Sequence, residues 1–300
     1  MKRLLTLLMA LAMTASLAAC GGTGSSGDTA DSGNSGTTAE GGETAGSSGV
    51  EDGVLTVGME CAYAPYNWTQ MDDSNGAVPV SNVPGAYANG YDVMIAKRIC
   101  EAYGWELEIV RTDWNSLVPG IQSGLYDAVI AGQSMTEDRM EQVDFAGPYY
   151  YASIVCVAKD GSPQASAKGI SELTGTATAQ IETIWYDTCL PQIENANILP
   201  AQETAPAMLV ALNSGACDIV VTDRPTAQAA LVAYPDFTLL DFGGGDNDFK
   251  VSEEDINIGI SMKKGNTALK DAINEVLATM TTDDYNTMMD DAISVQPLSE

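Results

Sequence analysis

Arg139 and Asp223 are the charged side chains whose placement invites a chemical reading. Arg139 lies in Thr136-Glu137-Asp138-Arg139, a helix start with acids in its first turn. Its guanidinium is a planar fork suited to a carboxylate, near helix N–H groups that also favour an anion. Asp223 closes an apolar run and precedes Arg224-Pro225. A carboxylate there can accept from an ammonium, cap the next helix, or do both. On these residues alone, the simpler reading of Arg139 is a surface arginine paired with Glu137 or Asp138.

The elements that must position this pair come in two copies. Ser123-Gly124-Leu-Tyr-Asp127-Ala-Val129-Ile130 recurs as Ser214-Gly215-Ala-Cys-Asp218-Ile-Val220-Val221. Each copy follows an apolar helical run, Leu117, Val118 and Ile121 in one, Met208, Leu209 and Leu212 in the other. The unit reads as a helix ended by glycine, a turn, then a buried parallel strand. Five residues beyond each aspartate comes the strand's carboxyl end, at Gly132 and at Asp223, where open α/β sheets bind ligands. Two such units predict two similar lobes with facing edges. Asp127 and Asp218 themselves read as structural residues at strand starts.

Around these copies the pattern alternates. Val54–Met59 reads as a strand, and Tyr91, Ile95, Ile99 and Tyr103 form one helical stripe ended by Gly104. Strands are expected near 107–110, 127–131, 154–157, 176–181, 197–200, 218–222, 238–241 and 256–261. Helices are expected near 114–123, 184–190, 204–213, 225–232, 267–280 and 283–290. Regular βα alternation with short connections argues a parallel α/β architecture.

Composition narrows the function classes. Lys2 and Arg3, an apolar run from Leu4 to Leu17 and Ala18-Ala19 read as a signal peptide over 1–19. Leu17-Ala18-Ala19-Cys20 resembles a bacterial lipobox, which implies a lipid on Cys20. Residues 20–52 then form a Gly/Ser/Thr-rich tether of about 30 Å reach as a coil. The net charge of -28 excludes nucleic-acid binding by phosphate neutralisation. The chain has no histidine, which removes Ser-His-Asp and Cys-His catalysis and histidine metal sites. Asp72-Asp73-Ser74-Asn75-Gly76 lacks the distal glutamate of a calcium loop, so it reads as a polar turn. No cofactor or metal is expected. Cys61, Cys100, Cys156, Cys189 and Cys217 read mainly as buried thiols, with room for one disulfide.

Several longer motifs carry a resemblance. Gly90-Tyr91-Asp92-Val93, Trp114-Asn-Ser-Leu117-Val-Pro119, Asp127-Ala-Val-Ile-Ala-Gly132-Gln-Ser134-Met-Thr136-Glu137-Asp-Arg139 and Val143-Asp144-Phe145…Pro148-Tyr149-Tyr150 resemble the extracellular solute-binding proteins of family 3. These are polar amino-acid receptors of ABC importers, and the similarity covers essentially all of 53–290. It implies a two-lobed periplasmic-binding-protein fold of type II, each lobe a mainly parallel sheet flanked by helices, with two hinge crossovers. Lobe 1 would be 53–153 plus 260–300, and lobe 2 would be 156–257. It implies Arg139 for the ligand carboxylate and Asp223 for its ammonium. Gly132 would add a carbonyl to the ammonium and Ser134 a hydroxyl to the carboxylate. Glu60 and Tyr63 would line the pocket, Trp114 would pack on the ligand side chain, and Thr183 would face the carboxylate. Trp68 is a weaker candidate that equally suits the core, as does Trp114. Ile181-Glu182-Thr183 replaces the family's Gly-Thr turn, Met94 replaces an acid, and Thr69–Asn89 looks like an inserted flap near the pocket.

The resemblance further implies an importer receptor held at the extracytoplasmic face of the cell membrane by lipid alone, a monomer serving a permease and its ATPase. A dehydratase on the same scaffold, with Glu60 or Glu182 as general acid, is the enzymatic alternative. An amino-acid sensor is the third. Glu60 and the negative field lean toward lysine, arginine or ornithine, while Trp114 and Ser134 suit glutamine or an apolar residue as well.

Overall fold

The structure is a computed structural model that describes residues 49–297. The signal-peptide reading, Cys20 and nearly all of the tether lie outside the described residues. Alternation sets the first strand, β1 (Val54–Met59), in which Leu55, Val57 and Met59 are fully buried. Next come β2 (Ala62–Tyr63), β3 (Asn67–Gln70), β4 (Val78–Pro79) and β5 (Tyr87–Asn89). The chain continues through α1 (Tyr91–Tyr103), β6 (Glu106–Arg111), α2 (Leu117–Ser123), β7 (Ala128–Val129), α3 (Glu137–Gln142) and β8 (Val143–Tyr151). Then follow β9 (Ile154–Lys159), β10 (Gly175–Thr178), β11 (Ala196–Ile198), α4 (Ala205–Ser214), β12 (Ile219–Asp223), α5 (Arg224–Ala233) and β13 (Phe237–Leu240). The last elements are α6 (Glu253–Ile256), β14 (Asn257–Lys263), α7 (Thr267–Leu277) and α8 (Thr282–Val295).

Two five-stranded sheets carry the architecture, ordered β6-β1-β7-β14-β8 and β11-β10-β12-β9-β13. The expected α/β fold is present, but each sheet is mixed. In the first, β6, β1 and β7 run parallel and β14 is reversed against β7 and β8. In the second, β11, β10 and β12 run parallel and β9 is reversed against β12 and β13. The reversed strand is in each case the one that arrives from the other sheet. The chain crosses at 152–153 and returns through 241–256, and the two passages touch where Ala152 N–H donates to the Ile256 carbonyl at 2.8 Å. Helix α8 packs on α1 and on α5, so it contacts elements attached to both sheets.

The repeated unit folds alike in both copies. Gly124 and Gly215 end α2 and α4 in the left-handed region at φ 76° and 74°, where a side chain would be strained. Asp127 then accepts the Thr56 N–H of β1 at 2.9 Å, and Asp218 accepts the Thr176 N–H of β10 at 2.8 Å. Each aspartate ties its strand to the neighbouring parallel strand, as the sequence predicts.

Three local expectations change. Segment 69–89 is no flap: with β2 it builds a four-stranded antiparallel sheet ordered β2-β3-β5-β4. Its tip reaches the β6 edge, where Ser81 N–H donates to the Ile109 carbonyl at 2.8 Å. The expected helix 184–190 is a single π-helical turn at Trp185–Cys189 followed by a short 3-10 turn. Strand β8 was not foreseen, because Gly147-Pro148 interrupts its apolar run. The cysteines among the described residues are free and buried, and none of the described helices is long and apolar enough to cross a membrane.

Candidate functional site

Residues at the carboxyl ends of β1, β7, β10 and β12 face one another across a cleft between the two sheets. Strand β12 ends at Asp223, which is 2 % exposed. The two carboxylate oxygens have different partners. Oδ1 accepts the Thr226 N–H at 2.8 Å and caps α5, while Oδ2 accepts the hydroxyl of Tyr63 from the other side of the cleft. Burial raises the Asp223 carboxyl above the ordinary value, and these hydrogen bonds oppose the rise. Capping and cleft-facing roles therefore coexist on one side chain.

Arg139 is half-buried on the six-residue α3. Thr136 caps that helix by accepting the Arg139 N–H, so the helix start is already satisfied. The guanidinium lies 5.3 Å from the centre of the Trp114 ring. Nη1 donates to the Ser134 carbonyl at 2.9 Å, and Nη2 donates across the cleft to the Glu182 carbonyl at 2.8 Å. The surface pairing with Glu137 or Asp138 does not form. Burial lowers Arg139 to about 10, against the opposing charges of Glu182, Asp187 and Asp255.

Between these poles lies a cavity of about 20 Å³, lined by Tyr63, Trp114, Gly132, Ser134, Arg139, Thr183 and Asp223 among others. A space of this size holds about one water, so the cleft is shut upon its own side chains. Gly132 takes φ 65°, and a Cβ there would lie 2.5 Å from the Tyr63 ring. Its N–H donates to the Tyr149 hydroxyl at 3.0 Å. Trp114 Nε1 donates to the Glu182 carbonyl at 3.3 Å. Glu182 itself holds φ 56°, a left-handed conformation that a glycine adopts at no steric cost. That backbone turn aims the carbonyl at both Arg139 and Trp114. The Thr183 hydroxyl donates to the Gln180 carbonyl at 2.7 Å, so its proton is committed within its own turn.

Glu60 does not line this cavity. It is 4 % exposed and lines a separate groove of about 200 Å³ with Arg111, Asp113, Glu203 and others. Both of its oxygens lie near the Gln180 side-chain amide, at 3.2 and 3.3 Å. Burial pushes its carboxyl up to about 7, Gln180 works against that, and Asp113 adds to it. Trp68 lies elsewhere too, buried beside an apolar groove with Ala205 and Leu209. Gln180, Ile184 and Trp185 line the cavity without having been foreseen. Only the apolar character of Ile184-Trp185 hinted at burial. None of this supplies a nucleophile with an adjacent base, and no group of metal-ligating side chains occurs among the described residues. Opposed charges, donors and aromatic walls suit the recognition of a small zwitterion.

Comparison with known proteins agrees with that chemistry. The chain is 26 % identical over 233 residues to the L-cystine-binding protein TcyJ of Escherichia coli (strain K12), covering 78 % of this chain and 79 % of that one. The arginine-bound form of truncated ArgBP from T. maritima matches at a TM-score of 0.62 and 26 % identity, over 77 % of this chain and 97 % of that one. An ancestral amino-acid-binding protein described as a precursor of cyclohexadienyl dehydratase matches at a TM-score of 0.65 and 25 % identity, over 81 % and 96 %. The model of bacterial extracellular solute-binding proteins, family 3, matches residues 55–291, and the chain belongs to that family.

Proposed function

We propose that this protein is the receptor of an ABC importer that binds a free amino acid between two lobes and closes on it by hinge motion. The observation that carries the reading is the pair Arg139 and Asp223, opposite charges at the two ends of one cavity between the sheets. Tyr63 now occupies Asp223, and the Glu182 carbonyl now occupies Arg139. A ligand ammonium would replace the first contact and a ligand carboxylate the second. Lobe 1 is built on the first sheet, lobe 2 on the second, and the passages at 152–153 and 241–256 are the hinge. Lipid on Cys20 anchors the monomer to the extracytoplasmic face of the membrane, where the closed form engages the permease and its ATPase.

The side chain of the ligand is best matched by a cation. Glu137, Asp138, Glu182, Asp187 and Asp255 surround the Arg139 mouth of the cleft, and their field favours lysine, arginine or ornithine. A dehydratase reading draws on Glu60, whose value of about 7 suits a general acid. Its carboxylate lies outside the cavity, which favours binding over catalysis. The test is thermal unfolding of the mature protein against the twenty amino acids, ornithine and L-cystine. A ligand at 100 times its Kd adds about 2.7 kcal/mol, roughly 5–10 °C for a domain of this size. No shift with any of them sinks the reading, and turnover of a shifted ligand would favour the enzyme.

A further inference from the structure

Asp92 touches no part of the cavity, yet both sides of its ammonium end depend on it. It is the second residue of α1, with no exposed surface. Its two oxygens head two chains of hydrogen bonds. Oδ2 accepts Asn67 Nδ2 at 2.7 Å, and Asn67 Oδ1 accepts the Cys61 N–H at 2.7 Å. Cys61 holds φ 54°, so this bond fixes a strained turn just before Tyr63. Oδ1 accepts the Tyr149 hydroxyl at 2.6 Å, and that hydroxyl accepts the Gly132 N–H. The turn after β1 and the turn after β7 thus share one carboxylate, and they meet again where Gly132 packs under the Tyr63 ring.

A neutral amide would tie two loops at lower desolvation cost than a carboxylate. No ion pair among the described residues includes Asp92. Burial pushes its carboxyl up to about 7, and the hydrogen bonds from Tyr149 and Asn67 work against that. The Tyr63 hydroxyl is the group that now sits on Asp223. Burial, then the charge of Asp223 and, further off, that of Asp92 raise this hydroxyl well above its ordinary value.

We propose that Asp92 is a positioning residue for amino-acid binding, tying the Tyr63 turn to the Gly132 turn at the ammonium end of the cleft. This rests on the amino-acid reading above. The full mature chain is titrated calorimetrically with the amino acid that gives the largest thermal shift. Asp92→Asn turns an NH2 toward either Asn67 Nδ2 or the Tyr149 hydroxyl, so one of these two donors loses its acceptor, and it lowers affinity about tenfold or more. Adding Asn67→Asp restores every donor and acceptor. The double variant recovers affinity to within about threefold of wild type. Tyr149→Phe cuts only the Gly132 branch and costs about fivefold.

Unchanged affinity in Asp92→Asn overturns the proposal. So does a double variant that unfolds like wild type yet binds no better than Asp92→Asn. If the single variant does not fold, the double variant and Tyr149→Phe carry the test alone, and wild-type affinity in Tyr149→Phe overturns it. Should wild type bind no amino acid, the receptor reading fails by itself. The tie is then read from the Gly132 amide resonance, which moves in Asp92→Asn and returns in the double variant. An unmoved resonance overturns the tie.

Discussion

The two ends of the cleft are built differently. At one end Asp223 is a short side chain on the last residue of a fully buried strand, with one oxygen locked by the helix it caps. At the other, Arg139 is a long side chain on a short, half-buried helix, held by carbonyls and an aromatic face. The first pole is part of the folding core. The second is mounted on it. Removing Asp223 therefore acts on stability and binding together, whereas removing Arg139 acts on binding alone.

The largest effect expected is that of Asp223→Ala. It deletes the α5 cap and leaves the buried Tyr63 hydroxyl without an acceptor, costing about 2–4 kcal/mol in urea unfolding and abolishing ligand binding. Asp223→Asn separates the two roles, because asparagine caps as well as aspartate. It should unfold within about 1 kcal/mol of wild type, yet bind at least about a hundredfold more weakly by calorimetry. Arg139→Ala is expected to abolish the ligand-induced thermal shift while changing unfolding by less than about 1 kcal/mol. A variant that still responds fully would put the carboxylate elsewhere. Equal stability losses in Asp223→Ala and Arg139→Ala would erase the contrast between the poles.

A smaller effect tests the buried carboxyl groups around the cleft. Glu60 rises from 4.5 to about 7 on folding, and Asp92 from 3.8 to about 7. Over that interval the folded chain holds protons that the unfolded chain has released. Stability is therefore greatest at the acid end and falls as pH rises through about 7, by roughly 1–3 kcal/mol. With no histidine in the chain, side-chain titration between pH 5 and 7 belongs to such carboxylates. Urea unfolding at pH 5 and pH 8 measures the fall, and Glu60→Gln should flatten it. A rise in stability over this range would contradict the burial argument. The smallest effect is that of Glu182→Gly, which relieves the φ 56° strain but adds freedom to the unfolded chain. A net gain of about 0.5 kcal/mol is expected, with ligand affinity changed less than about threefold, since the carbonyl remains in place.

The repeated unit was readable because glycine, aspartate and apolar spacing each have a local cause. Gly124 and Gly215 mark left-handed caps, and Asp127 and Asp218 sit where a strand begins. Asp223 was placed by the length of the strand alone. Arg139 needed the surrounding motif, because its own neighbours offered a surface pairing that the structure does not make. Other positions were hidden for physical reasons. Glu60 follows the end of β1, where alternation no longer says which way a side chain points. Trp185 and Gln180 depend on the left-handed Glu182, which no sequence period announces. Asp92 lay inside a recognised helix pattern, but its role comes from Asn67 and Tyr149, which only the tertiary fold brings to it.

One feature of the backbone path has a mechanical side. The passages at 152–153 and 241–256 lie together, stitched by the Ala152–Ile256 hydrogen bond, and Ala152, Ile154 and Ile258 form part of the cavity wall. Two short passages joined at one point bend more readily than they shear. Any swing of one sheet against the other then has a single lever, with its fulcrum beside the cavity floor. The outer strands β6 and β11 sweep the longest arc, and one dye pair placed on them would follow the whole motion as a single distance.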